Sequence, residues 1–271
     1  MPKVSVLMSV FNSNLELLNK ALNGLENQSY KNFEVVLVND DPSNEELKDY
    51  LKNSINTFSF PIKKMENDRN MGLIYSLNKG LKACSGDYIA RADDDDFSYN
   101  NRLEKQVTFL EANKNIVAVG GWVKIVDELG NGSAVRKYPS LNDIPKSIPF
   151  RCPIQHSFLM VRRNVMIDVG GYSSEYYLAE DYALFLKLRY MGYKLDNIQE
   201  VLGEYKFTVQ DSRKRSKKCR KSVFKAKIRF FNKKEFYNSL KGIGFGFTWW
   251  VFPQFLINLI YHREIKKPII Y

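Results

Sequence analysis

The feature that most constrains the fold is an alternation, within the first half of the chain, of apolar β-branched runs and helix-like leucine patterns. Residues 4–10 and 33–38 are apolar and β-branched, which is typical of strands buried on both faces. Between them, residues 15–25 carry leucine at intervals of three and four, the spacing of one helix face. Further strands are expected at 62–65 and 88–90, and further helices at 73–84 and 102–110. This order predicts parallel βαβ units with right-handed crossovers.

The second half of the chain is less regular. Strands are expected at 116–126, 157–161 and 201–207, and a helix is expected at 180–190. These elements complete one α/β domain over residues 1–210, in which helices flank a mostly parallel sheet. Residues 211–271 form a basic and aromatic tail, for which we expect helices.

The composition excludes some classes of protein. With 271 residues, 44% of them apolar and 14% aromatic, the chain can bury a substantial core. Disordered and low-complexity chains are poor in aromatic residues, so these classes are excluded. The cysteines Cys84, Cys152 and Cys219 lie far apart and match neither a zinc site nor a disulfide framework, which favours a reducing compartment. The richness in Lys, Asn and Ile suggests a bacterial host.

The formal net charge of +11 comes from one segment of the tail. Residues 213–234 contain twelve Lys or Arg and no Asp or Glu, which leaves 29 basic and 30 acidic residues elsewhere. This segment is followed by an aromatic cluster that comprises Phe245, Phe247, Trp249, Trp250, Phe252 and Phe255. Basic residues combined with Trp and Phe are typical of segments that bind an anionic membrane surface. We therefore expect the tail to be a membrane-surface anchor.

The apolar stretch 245–261 is not expected to cross a membrane. Pro253, Gln254 and Asn258 interrupt it, and it is shorter than the roughly 20 residues that a spanning helix needs. The first ten residues have the pattern of a buried strand rather than of a signal peptide. These features predict a cytoplasmic protein that is peripheral on the inner face of the cytoplasmic membrane.

Polar residues follow three of the predicted strands, at positions 11–12, 39–41 and 93–96. In open α/β sheets, ligands bind beyond the carboxyl ends of the strands, so these residues are expected to converge. The run 93–96 consists of four aspartates, whose charges repel one another unless a cation screens them. Carboxylates are hard ligands for Mg²⁺ or Mn²⁺, which also bind substrate phosphates. A metal–diphosphate site is therefore favoured over a solvated acidic turn.

Other candidate residues have both a structural and a functional interpretation. Asp40 and Asp41 could form a turn or accept hydrogen bonds from a base or ribose. Glu180 and Asp181 could cap a helix through its dipole, or one of them could be a general base. His156, one of two histidines, is more often structural than functional at such a position.

Taken together, these features resemble the family 2 glycosyltransferases, which have the GT-A fold. The resemblance covers residues 3–207 and rests on five segments in the family's order. They are residues 4–12, 37–41, 70–72 with Asn78, 86–96 with a D-x-D metal motif, and 170–172 followed by 179–182. The resemblance implies a Rossmann-like sheet with a nucleotide-sugar-binding half, 1–115, and an acceptor-binding half, 116–210.

The resemblance also implies roles for individual residues. The donor-binding residues would be Ser9, Phe11, Asp40, Asn70, Gly72, Asn78, Asp93 and Asp94. Asp95 would ligate Mn²⁺ or Mg²⁺, and Asp181 would be the general base. Glu180 and His156 would lie on the acceptor side.

This sequence departs from the family pattern at two positions. Asn39 stands where the family often has Asp, which weakens one expected donor contact. Many members carry a His near the position of Thr208, where it can reach the metal or phosphates, and this chain does not. Either water and phosphate complete the coordination of the metal, or a basic residue of the tail replaces the histidine.

The activity implied by the resemblance is an inverting transfer by single displacement. A hexose or N-acetylhexosamine would move from a UDP-sugar to a hydroxyl of a saccharide acceptor, which would be polyprenyl-diphosphate-linked. The product would belong to bacterial surface polysaccharide, such as O-antigen, lipopolysaccharide or capsule.

Two alternatives come from different classes of function. A nucleotidyltransferase that makes a nucleotide-sugar also uses acidic metal ligands, but it needs a Gly- and Arg-rich phosphate loop, which residues 11–14 lack. A nucleic-acid-binding protein could use the basic tail. Few aromatic residues lie among the charges of the basic run and the body of the chain is near neutral, so no nucleic acid partner is expected.

Overall fold

The computed structural model describes residues 1–53, 55–127, 132–207 and 216–253. Within these residues, nine strands form one sheet in the order β3-β2-β1-β4-β8-β6-β9-β5, with β7 paired to β6. The strands are β1 (Val4–Val10), β2 (Phe33–Asn39), β3 (Ile62–Glu66), β4 (Tyr88–Arg91), β5 (Phe97–Ser98), β6 (Ile116–Val126), β7 (Gly132–Arg136), β8 (Met160–Arg162) and β9 (Lys194–Lys206).

Helices cover the sheet and form the tail. They are α1 (Leu15–Glu26), α2 (Glu45–Asn53), α3 (Leu73–Ala83), α4 (Arg102–Ala112), α5 (Ile144–Ser147), α6 (Arg163–Asp168), α7 (Glu180–Tyr190), α8 (Lys217–Arg229) and α9 (Phe236–Val251).

The first half of the sheet is parallel, as its sequence predicts. β1 pairs in parallel with β2 and β4, and β2 pairs in parallel with β3. The alternate side chains of β1 enter two separate cores, with Val6 beside the leucines of α1 and Leu7 beside those of α3. Burial on both faces explains why these strands are continuously apolar.

The second half makes the sheet mixed, whereas the sequence predicts a mostly parallel one. β8 is antiparallel to both β4 and β6. β7 is antiparallel to β6, and β5 is antiparallel to β9. β6 and β9 are parallel to each other. Because β8 lies between β4 and β6, one sheet runs through both expected halves of the domain.

Two element boundaries differ from the sequence-based expectation. Residues His156–Phe158 form a 3-10 helix, and β8 (Met160–Arg162) overlaps the expected strand at 157–161 by two residues only. The last strand begins at Lys194 rather than at residue 201. Its first half alternates between buried and exposed positions, so it lacks the apolar run by which a buried strand is identified.

The tail is helical where it is described, as expected. Cys219 and Ala226 of α8 pack with Tyr176, Ala179 and Ala183 of the α/β domain. Within the described ranges, every helix is too short or too polar to span a bilayer. The position of Thr208, the first three residues of the basic segment and Phe255 lie outside the described residues.

Candidate active site

The carboxyl ends of β1, β2 and β4 meet at one edge of the sheet. Val10 is opposite Asn39 in the β1–β2 pair, and Leu7 is opposite Arg91 in the β1–β4 pair. The Asp40 backbone N–H donates to the Val10 carbonyl over 2.9 Å, so the chain segments that follow these strands remain adjacent. The predicted convergence of the three polar segments is therefore confirmed.

Three of the four consecutive aspartates form one cluster. Asp93, Asp95 and Asp96 each place a carboxylate oxygen within 4.8 Å of the others. Asp96 is buried, and its Oδ1 accepts from the Lys206 backbone N–H over 2.8 Å. Its Oδ2 is also buried and has no hydrogen-bond partner among the described residues. Burial and the charges of Asp93 and Asp95 raise the pKa of Asp96 well above its usual range.

This cluster fits a hard divalent cation. Three carboxylate oxygens lie within the span of one coordination sphere, and a buried oxygen without a partner is costly unless a cation or donor reaches it. Asp95, the predicted metal ligand, belongs to the cluster. Asp96 also belongs to it, although no individual role was expected for this residue. Its burial depends on β9, which lies more than ninety residues away in sequence.

Asp94 faces a different neighbour. The Ser13 hydroxyl donates to its carboxylate, and Asp94 is not part of the three-carboxylate cluster. Burial raises the pKa of Asp94 to about 6, although the Ser13 hydrogen bond acts in the opposite direction. Asp94 therefore connects the acidic loop to the segment that precedes α1, and its contact with the donor stays a prediction.

Two buried arginines lie behind the cluster. Arg91 donates to Asp93, and Arg102 donates to the Arg91 carbonyl over 2.6 Å and to Ser98 Oγ over 2.8 Å. Burial lowers the pKa of Arg102 to about 9, and the Asp96 carboxylate offsets part of that effect. The guanidinium groups thus hold the backbone of the acidic loop and place positive charge on its inner side.

Asp40 organises the loop before α3. Its carboxylate is buried and accepts from Asn67 Nδ2 over 2.7 Å, from the Met71 N–H over 2.7 Å and from the Gly72 N–H over 2.8 Å. Gly72 has a φ of +85°, a backbone conformation that favours glycine. Asn70 Oδ1 also accepts from the Gly72 N–H. The predicted donor residues Asp40, Asn70 and Gly72 are therefore neighbours.

The other two predicted nucleoside contacts belong to the end of β1. Ser9 is half-buried in the strand, whereas the Phe11 ring is exposed just beyond it. Asn12, the next residue, donates its backbone N–H to Asp41 over 3.2 Å. An exposed aromatic ring beside polar strand ends can stack on a base.

Asn78 links α3 to the turn before α7. Its Nδ2 donates to the Tyr172 carbonyl over 2.8 Å, and its Oδ1 accepts from the Tyr172 N–H over 2.9 Å. Gly171 has a φ of +68°, and a Cβ there would lie 2.4 Å from Asn78 Oδ1. Both polar atoms of the Asn78 amide thus have backbone partners, and its predicted donor contact stays a prediction.

Asp181 lies in the first turn of α7, where a carboxylate interacts favourably with the helix dipole. Its Oδ1 accepts from the Tyr182 N–H over 2.6 Å, and the Cys152 thiol donates to its Oδ2 over 3.5 Å. Glu180, its neighbour, is buried. The donors fix the direction of the Asp181 carboxylate, which remains half-buried.

His156 contacts Tyr172, a residue to which the sequence analysis gave no role. His156 Nε2 and the Tyr172 hydroxyl are 2.8 Å apart, and their rings meet edge to face. Burial raises the pKa of Tyr172, and the carboxylates of Glu180, Asp181 and Asp93 raise it further. Tyr172 therefore lies between the acidic cluster and the start of α7. The only signal in the sequence is the Gly-Gly pair that precedes it.

The family model that matches this chain is Glycosyl transferase family 2, over residues 5–173. A curated relative is the UDP-Gal:alpha-D-GlcNAc-diphosphoundecaprenol beta-1,3-galactosyltransferase of Escherichia coli. It is 34% identical over 236 residues, which are 85% of this chain and 84% of the relative.

Two solved structures share the fold at low sequence identity. The UDP complex of S. aureus TarS 1–349 has a TM-score of 0.69 and 17% identity, over 93% of this chain and 73% of that one. The mannosyltransferase PcManGT from Pyrobaculum calidifontis, in complex with GDP-Man and Mn²⁺, has a TM-score of 0.68 and 15% identity, over 98% and 81% of the two chains. The fold is therefore GT-A, and the chain is a glycosyltransferase that belongs to glycosyl transferase family 2.

Proposed function

We propose that this glycosyltransferase is metal-dependent and inverting, and that it transfers a hexose or N-acetylhexosamine from a UDP-sugar to a hydroxyl of a lipid-linked saccharide. The observation that carries the proposal is the three-carboxylate cluster at the strand ends, with its buried Asp96 oxygen. The activity of the Escherichia coli relative, a UDP-Gal:alpha-D-GlcNAc-diphosphoundecaprenol galactosyltransferase, supports a UDP-sugar donor and a polyprenyl-diphosphate-linked acceptor. The pathway would be bacterial surface polysaccharide synthesis.

On the donor side, Asp93, Asp95 and Asp96 would hold Mn²⁺ or Mg²⁺. When bound, the metal would neutralise charge on the diphosphate leaving group. Phe11 is exposed and could stack on the uracil, while Asp40 keeps the loop at Gly72 in place through two backbone hydrogen bonds. Asp40 thus supports the donor site as a positioning residue, in addition to any direct contact.

On the acceptor side, Asp181 would remove the proton of the acceptor hydroxyl as it attacks. The Tyr182 N–H and the Cys152 thiol aim its carboxylate, so that little reorganisation is needed in the transition state. Attack on the face of the sugar opposite the leaving diphosphate inverts the anomeric carbon in one displacement. No side chain of the protein has to act as a nucleophile.

Family membership removes the support for a nucleotidyltransferase. The basic tail and its aromatic residues support peripheral attachment to the inner face of the cytoplasmic membrane, where a polyprenyl-linked acceptor would be available. This location is part of the proposal.

Calorimetric titration of UDP with and without Mn²⁺ tests the donor site. We expect metal-dependent binding by the wild type, and loss of the metal effect in Asp95→Ala and Asp96→Asn. Asp49→Ala, which removes an exposed aspartate from α2, is the matched control and should bind like the wild type. The proposal fails if UDP does not bind with Mn²⁺, or if both site variants keep the wild-type response to Mn²⁺.

A further inference from the structure

Helix α9 is oriented opposite to an ordinary surface helix, because two of its three glycines face the protein and several large apolar side chains face outward. Gly242 and Gly246 are buried, and a Cβ at Gly242 would lie 2.9 Å from Pro149 Cβ. The outward apolar positions are three, seven and four residues apart, the spacing of one helix face. Their side chains and exposed fractions are Tyr237 at 78%, Leu240 at 52%, Phe247 at 49% and Val251 at 54%. A surface helix of a water-soluble domain normally buries such residues.

Basic residues border this apolar face on the side of α8, the helix that packs against α9. On α8 and the connection to α9, the exposed cations are Lys217, Lys218, Lys221, Lys225, Arg229, Lys233 and Lys234. Helix α9 adds Lys241 and contains no acidic residue. Glu235, which directly precedes α9, is paired with Arg189. An apolar face with a basic border matches the chemistry of an anionic lipid surface.

A row of aromatic rings connects α9 to the acceptor end of the site. Phe150 meets Phe245 edge to face at 5.5 Å, and Phe245 stacks on Trp249 at 6.1 Å. Phe150 belongs to the same loop as Cys152, whose thiol contacts Asp181. The direction of α9 is therefore fixed relative to the candidate base.

Lys227 provides a second connection between the tail and α7. This side chain of α8 is only 6% exposed, and its Nζ lies 5.6 Å from the ring centre of Tyr182 and 5.1 Å from that of Phe245. Tyr182 directly follows Asp181. Lys227 thus contacts both α9 and the residue beside the candidate base.

We propose that the outer face of α9, formed by Tyr237, Leu240, Phe247 and Val251, docks on an anionic lipid bilayer. The apolar side chains enter the boundary between headgroups and acyl chains, and the lysines of α8 contact the headgroups. The docked tail holds the Asp181 end of the site close to the membrane. The role of this end and its location at the inner membrane face rest on the proposed function, whereas the contact of α9 with lipid is argued from the tail helices alone.

Charge favours a lipid surface over a second copy of the chain as the occupant of this face. In a symmetric dimer, each copy places the same patch against its partner, so the basic border of one copy would face that of the other. An anionic bilayer instead attracts each of these cations, and the attraction weakens as salt increases.

Vesicle flotation of the full chain tests the docking. The vesicles contain either phosphatidylcholine alone or equal parts of phosphatidylcholine and phosphatidylglycerol. We expect the wild type to float with the anionic vesicles at low salt and much less with the neutral ones. Leu240→Ser with Phe247→Ser should weaken binding about 100-fold, because two large apolar groups no longer enter the lipid. Lys217→Glu with Lys221→Glu should weaken it at least about tenfold.

The matched control is Ile167→Ser with Met191→Ser, two apolar residues of similar exposure outside the tail. It should float like the wild type. Equal flotation by the Leu240/Phe247 variant and the control, or no flotation by the wild type, overturns the docking. A dimer in ultracentrifugation that is lost in the Leu240/Phe247 variant also overturns it and assigns the face to a second copy.

Titration of UDP with Mn²⁺ on the same variants separates the two proposals. The Leu240/Phe247 variant should keep wild-type UDP binding while its flotation is lost. If flotation behaves as expected and the wild type does not bind UDP, the donor proposal fails and the docking stands. If UDP binds and no variant changes flotation, the docking fails alone.

Discussion

At the scale of single residues, four consecutive aspartates have different roles because their side chains point to different neighbours. Asp93 pairs with Arg91, Asp94 accepts from Ser13, and Asp96 is buried under β9. The sequence places four aspartates at the end of a strand, and the residue type does not distinguish one from another. Only the direction of the backbone at each position separates the three cluster members from Asp94.

The role of Asp181 is tested by Asp181→Asn, which keeps the shape of the side chain and removes its basicity. We expect the transfer rate to fall by about 10²–10⁴-fold, the usual contribution of a general base. UDP binding in the presence of Mn²⁺ should stay unchanged, because Asp181 is not part of the acidic cluster. Glu175→Gln, an exposed acid on the segment before α7, is the control. Wild-type transfer by Asp181→Asn would contradict the assignment.

Lys227 gives a pH-dependent contribution to stability. Burial lowers its pKa from 10.5 in the unfolded chain to about 8 in the folded protein. Between these two pH values the unfolded state binds more protons, so the stability of the wild type rises with pH. Relative to Lys227→Met, we expect the free energy of unfolding of the wild type to rise by up to about 3 kcal/mol from pH 8 to 10.5. Any cation–π stabilisation of the charged lysine reduces this rise.

Urea unfolding of both proteins at several pH values measures this difference. Lys225→Met, which removes an exposed lysine from the same helix, should follow the wild type across the range. If the free energies of unfolding of wild type and Lys227→Met change in parallel with pH, the folded protein does not hold Lys227 in a desolvated environment.

At the scale of elements, the turn between α6 and α7 is determined by two glycines with different surroundings. Gly170 has a φ of +76° and would place a Cβ in open space, whereas a Cβ at Gly171 would meet Asn78 Oδ1. The Gly-Gly pair is visible in the sequence as a turn signal. The contact of this turn with Asn78 on α3 is not visible in the sequence, because the two segments are more than ninety residues apart.

These glycines form a matched pair for mutation. Gly170→Ala should cost about 1 kcal/mol of stability, because only the left-handed backbone conformation is strained. Gly171→Ala should cost about 3 kcal/mol, because it also displaces the Asn78 amide from the Tyr172 backbone. Urea unfolding measures both values. Equal costs for the two variants would contradict the contact between Asn78 and the turn.

Elements with strong local patterns were predictable, and those with long-range partners were not. β1, β2, α1 and α3 follow the expected positions because each buries a continuous run or one helix face. β8 has three residues, and its sequence carries too little periodicity to define its bounds, so the expected strand at 157–161 began three residues too early. It is extended because β4 and β6 provide hydrogen-bond partners on both sides.

At the scale of the whole molecule, the shared sheet connects the two expected halves of the domain. β8 pairs with β4 of the first half and with β6 of the second. Arg162 of β8 also donates to the Leu110 carbonyl over 2.7 Å and to the Ile116 carbonyl over 3.0 Å. The halves therefore share backbone and side-chain contacts along their boundary.

We expect these halves to unfold in one cooperative transition. Differential scanning calorimetry should give one transition for the α/β domain, with equal calorimetric and van't Hoff enthalpies. Val161→Ala, at the centre of β8, should lower the temperature of that transition without splitting it. Two resolved transitions, one of them sensitive to UDP and Mn²⁺, would show that residues 1–115 form an independent unit.

The sequence alone determined the parallel half of the sheet, the acidic residues at its strand ends and the family, because periodicity and motif order are local properties of the chain. The tertiary structure decided which carboxylates form the cluster, how Asn78 and Tyr172 join α3 to the turn before α7, and which side of α9 faces outward. Each of these depends on contacts between segments that are distant in sequence. Such contacts are selected by packing and hydrogen bonding in the folded chain, and no local pattern encodes them.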